Sequence, residues 1–151
     1  MLSKSIIIVK VKRMEQKYIE GDVVMYDNKI MVVKEPRDGS HFDLSCPKEG
    51  LVYCYVGVDD MKSVNIIPAI LEKNSWYKEE KDGSVFSLSE VFMGGDKNEE
   101  GNYTCFQLYY QNKTDGWVID MRGEPLKFEV RYIHELQHLF FGLGINHEME
   151  V

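Results

Sequence analysis

The chain is short of cysteine, proline, basic side chains and long apolar runs, and each shortage excludes something. Three cysteines, Cys46, Cys54 and Cys105, stand in 151 residues without a CxxC pair. An odd count at wide spacing is no disulfide framework; it reads as reduced thiols acting as small buried hydrophobes. Four prolines and twelve glycines exclude a collagen-like chain. The apolar run Ile6 to Val9 is far too short to span a bilayer, and the first residues lack the apolar region and cleavage site of a secretory signal. A cytoplasmic protein without a membrane partner is expected. Lys and Arg number 18 against 25 Asp and Glu, a net charge of −7. The deficit is local: residues 1–67 hold 10 basic and 10 acidic side chains, residues 68–151 hold 8 and 15. Nucleic-acid affinity rests on cations that neutralise phosphates, so the acidic second half disfavours a nucleic-acid partner.

What is present is the balance of a soluble globular protein, 44% hydrophobic and 28% charged. A chain of this length buries enough surface to fold without disulfides. Residues 1–13 are either an extension upstream of Met14 or an edge strand, since Ile and Val alternate there with Lys. Residues 14–67 read as β throughout. Val23 to Met25 and Ile30 to Val33 flank the turn signal Asp27-Asn28. Pro36, Asp38 and Gly39 punctuate a loop, and strands follow at 51–56 and 64–67. Four to five short strands in so few residues predict a small SH3-like barrel. Residues 68–151 form a second, α+β lobe. Pro68 opens a short helix; strands are expected at 76–79, 85–88, 104–110, 117–121 and 126–130. A turn-rich loop follows Gly94, Glu124-Pro125 breaks the chain, and a helix over 132–143 stops at Gly144. The fold class is α+β, a small barrel followed by an antiparallel sheet with a C-terminal helix.

His134-Glu135-Leu136-Gln137-His138 matches HExxH. Two His at i and i+4 share one helical face and can both reach a zinc ion, with the Glu as general base for the metal-bound water. On a helical wheel Tyr132, Leu136, Leu139, Phe140 and Leu143 make an apolar stripe, and His134 and His138 lie almost opposite it. A zinc helix backed by a core fits this pattern, and so does an ordinary amphipathic helix with a solvated polar face. Against zinc, only 13 residues follow His138. Gly142 and His147 are displaced from the metzincin offsets, and Glu148 and Glu150 sit on what is expected to be a frayed tail.

The stretch from Tyr132 through Leu143 resembles the ending of a group of uncharacterised small proteins from gut Bacteroidales and their phages. Two further stretches are similar to that group: Ile19-Glu20-Gly21-Asp22-Val23-Val24, and Ile67-Pro68-Ala69-Ile70-Leu71-Glu72-Lys73-Asn74. Order and spacing agree over about residues 14–144. The group carries Gln at the position of Glu135 and Asn at that of His138, while sharing His134 and Gln137. The resemblance therefore implies a docking helix and a phage or mobile-element context, with no reaction to carry over.

The aromatic set Tyr103, Phe106, Tyr109, Tyr110 and Trp117 alternates on strands and is expected in the core rather than on a recognition surface. The carboxylate pairs Asp59-Asp60 and Glu79-Glu80 are adjacent residues and make poor catalytic dyads. No P-loop, GxSxG or Rossmann fingerprint occurs. The reading is a non-enzymatic accessory protein that binds another protein, with no catalytic residue, no cofactor and no metal. Its working surface is expected on the barrel or on the polar side of the last helix. The alternative is a minimal zinc hydrolase, with His134 and His138 as ligands and Glu135 as base.

Overall fold

The computed structural model describes residues 18–91, 104–121 and 127–151. The expectations for residues 1–13, the loop after Gly94, Tyr103, Glu124-Pro125 and Leu126 lie outside the described residues, as does the side chain of Cys105.

Asp27 and Asn28 take φ of 52° and 59°, the left-handed pair that a two-residue hairpin turn needs and that Asp and Asn tolerate. β1 (Val23–Tyr26) therefore returns directly into β2 (Lys29–Asp38), with Val24 opposite Met31. β2 runs on through Pro36, where a loop was expected. Past Val33 it pairs only with β3 (His41–Cys46), and the register slips on both sides of Glu35 and Pro36. A residue without an N–H is tolerated on that open, bulged side. β3 itself was not anticipated, although Phe42, Leu44 and Cys46 alternate with His41 and Ser45. β4 (Leu51–Gly57) follows, then a 3-10 turn over Val58–Asp60 and β5 (Lys62–Ser63).

The first sheet has the order β4-β3-β2-β1-β5. Among the described residues nothing pairs β4 with β5, so the sheet is open rather than a closed barrel. The strand expected over 64–67 does not form: β5 lies just before it at Lys62–Ser63, and within 64–67 only Asn65 makes a bridge, to Tyr132. One face carries a core of its own: Tyr18, Val24, Met31, Val33, Phe42, Leu44, Cys46, Val56 and Met61.

α1 (Pro68–Lys73) begins at Pro68, where a missing N–H costs nothing. The second sheet is β6 (Tyr77–Lys78), β7 (Val85–Val91), β8 (Thr104–Gln111), β9 (Gly116–Met121) and β10 (Lys127–Val130). It is antiparallel throughout, in the order β10-β9-β8-β7-β6. Phe86, Leu108, Ile119 and Phe128 stand opposite one another across four strands. α2 (Ile133–Gly142) lays Ile133, Leu136 and Phe140 on that face, and Gly144 at φ 72° turns the chain away after it. Trp76 stacks parallel to Phe140 at 6.3 Å. Each such side chain, fully buried, contributes about 1.5–3 kcal/mol. Phe106 and Trp117 are buried here and Tyr110 packs half-buried against them, as core packing predicts, whereas Tyr109 is half-buried outside this cluster. Val23 of the first sheet enters the same cluster, with Met25 and Ile30 against it. The molecule is thus mostly β, two antiparallel sheets with a C-terminal helix, an α+β arrangement. No described helix is long and apolar enough to cross a membrane.

Candidate functional site

The HExxH residues sit where α2 passes between its own sheet and the start of β1. The polar side of the helix was expected to be solvated; it is largely buried, with the His138 side chain keeping 28% exposure. His134 is 6% exposed and Gln137 0%. The wheel correctly separates this side from the apolar stripe, but both sides find a partner: the stripe packs on the second sheet and the polar side on the first.

Glu135 is held at the helix start. Its Oε1 accepts from the backbone N–H of Arg131 and of Tyr132, both at 3.0 Å. This is the return half of a capping box, a carboxylate satisfying orphan N–H groups at the positive end of the helix. His134 lies among rings, edge-on to Tyr18 at 5.1 Å and stacked on Tyr132 at 5.7 Å. His134 and His138 do approach each other, with ring centroids 5.5 Å apart.

His138 points at a carboxylate that no motif in the sequence marks. Its Nε2 hydrogen-bonds Asp22 Oδ2 at 2.6 Å, and Asp22 is fully buried. The same oxygen accepts from the Ile19 N–H at 2.8 Å. Burial pushes the Asp22 carboxyl above its ordinary range, opposed by the hydrogen bond and charge of His138. The partners are 116 residues apart, so no local spacing announces the pair.

Gln137 completes the clasp. Its Oε1 accepts from Val23 N–H at 2.8 Å, and its Nε2 donates to Gly21 C=O at 2.7 Å and His147 C=O at 2.8 Å. One amide thus joins helix, first sheet and C-terminal tail. That tail is anchored rather than frayed. His147 Nε2 donates to Glu20 C=O, and Asn74 exchanges two hydrogen bonds with the Glu150 backbone. Gly21, at φ 91°, is required here: a Cβ would stand 3.1 Å from His147 Nε2.

Among the described residues no three His, Cys, Asp or Glu side chains converge where they could hold a metal ion. The arrangement is well suited to fastening, with the His138 side chain still 28% exposed.

A second polar cluster lies at the far end of the first sheet. Asp38 accepts from Ser40 N–H, His41 Nδ1 and the Tyr55 hydroxyl, which together hold its carboxyl well below the usual range. Ser40 Oγ and Asp38 meet the same nitrogen of His41, so no relay from hydroxyl through imidazole to carboxylate exists. Tyr55 stacks flat on His41 at 4.1 Å and is held at φ 57°, a strained value for a bulky residue. It marks a bulge on β4 opposite Asp43, whose Oδ1 accepts the Tyr55 N–H.

Among the described residues the largest exposed apolar run is on β4. Leu51, Val52 and Tyr55 are 51%, 45% and 59% exposed, and Cys54 is exposed beside them. The row Val52, Ser45, Val32 leads inward from β4 into a groove of about 370 Å³, closed on its far side by Glu20, Glu148 and Met149. Compared with protein-family models, curated proteins and solved structures, the chain matches none.

Proposed function

We propose that the chain is a non-enzymatic interaction module that binds another protein inside the cell, in the phage or mobile-element setting that its resemblance implies. The observation that carries this reading is the use made of the HExxH residues. Glu135 caps the helix, and His138 and Gln137 fasten it to β1. Side chains consumed in this way serve docking within the fold. With most of the polar side of α2 taken up by these contacts, the working surface falls on the first sheet, where β4 exposes Leu51, Val52 and Tyr55. A bent five-stranded meander whose last strand returns to its first supports the SH3-like reading of this unit.

Metal analysis of protein purified without added zinc tests the proposal. No stoichiometric zinc is expected in the wild type or in a His138→Asn variant. About one zinc per chain, lost in the variant, would refute the module and favour the hydrolase with His134 and His138 as ligands and Glu135 as base. Pull-down from a host or infected lysate should recover a protein; repeated recovery of nucleic acid would count against the reading.

A further inference from the structure

We propose that β4 is a self-complementary edge and that two copies of the chain associate by antiparallel pairing of β4 with β4. This rests on the interaction-module reading and names the partner as a second copy. β4 ends the first sheet, so its outer N–H and C=O groups have no strand beside them among the described residues. Natural proteins usually blunt such an edge with charge, proline or a bulge. Leu51-Val52-Tyr53-Cys54 has none of the three, and three of these four residues are exposed. The bulge at Tyr55 ends the regular run, leaving residues 51–54 for pairing.

Charge selects the occupant. The excess of −7 lies in residues 68–151, so two copies repel least where they meet through the first sheet, which falls within the charge-balanced residues 1–67, and β4 itself carries no charge. In an antiparallel pair the start of one strand lies beside the end of the other. Lys48 precedes β4, and Asp59 and Asp60 follow it. All three are exposed, and none forms an ion pair with a described residue. Full pairing of residues 51–54 sets Leu51 opposite the partner's Cys54 and carries Lys48 level with the partner's Gly57, two residues short of Asp59 and within a long side chain's reach of it, twice about a two-fold axis. The paired run is short, so the interface falls at the small end of specific contacts and association depends on concentration.

Sedimentation velocity over a concentration series tests this. The wild type is expected to shift from monomer to dimer. Lys48→Glu should raise the dimer dissociation constant about threefold or more, since two opposite-charge contacts become repulsive. Adding Asp59→Lys and Asp60→Lys to that variant should restore it. Val52→Lys should abolish the dimer, with circular dichroism confirming the fold of each variant. A wild type monomeric at every concentration overturns the proposal, as does a dimer indifferent to all these changes. A monomer that still captures a different protein overturns self-pairing alone and leaves the module standing; stoichiometric zinc overturns the module itself.

Discussion

Replacing Gln137 by Ala is the sharpest perturbation of the clasp. The side chain is fully buried and serves three backbone groups: Val23 N–H, Gly21 C=O and His147 C=O. Its removal leaves each without that partner. A buried polar group so stranded costs about 1–3 kcal/mol. His147 is the most exposed of the three and its carbonyl can turn to water, so the sum is about 2–5 kcal/mol rather than the full total. For a chain of this size that lowers the melting midpoint by on the order of 10 °C. Urea unfolding followed by the fluorescence of Trp76 and Trp117 would measure it, because both indoles are buried. Gln137→Leu should cost nearly as much despite its apolar bulk, since the loss lies in the backbone groups and not in the volume. A change below about 1 kcal/mol in both variants would refute the view that this amide joins the helix, the first sheet and the tail.

Three further outcomes are expected. The folded-state pKa of Asp22 is raised, so its contribution to stability is fully present below the unfolded pKa of about 3.8 and is lost as pH rises through the folded value. The unfolding free energy of Asp22→Asn should lack that fall, and a variant profile parallel to the wild type over this range would contradict the assignment. Asn28→Ala should destabilise by about 1–2 kcal/mol in thermal unfolding, because Ala is strained at φ 59°, whereas Asn28→Gly should be neutral or better. Gly21→Ala should weaken the docking of the tail, seen as faster amide exchange of residues 145–151, since the new Cβ crowds His147 at a backbone φ of 91°.

Much of the second sheet is legible in the sequence, and for a local reason. Alternation in β8 and β9 and the Pro68 start of α1 depend on near neighbours, and these elements appear close to where the pattern puts them. β3 is harder to see because its alternation is brief and Cys46-Pro47 cuts it off. The run of β2 through Pro36 depends on which side of the strand is open, a property of the assembled sheet. The candidate site was half legible. The wheel separates His134 and His138 from the apolar stripe and leaves Gln137 beside Ile133, but polarity alone does not distinguish a face that meets water from one that meets polar backbone. Asp22 and the Val23 N–H lie more than a hundred residues upstream, so only the fold reveals that this face is buried.

The central claim is that His138 serves the fold through Asp22 rather than a metal. A double-mutant cycle with Asp22→Asn and His138→Asn, measured by urea unfolding in the presence of a chelator, tests it most directly. A coupling energy of about 1–2 kcal/mol that persists without metal is expected. Zero coupling in chelator, restored by added zinc, would contradict it.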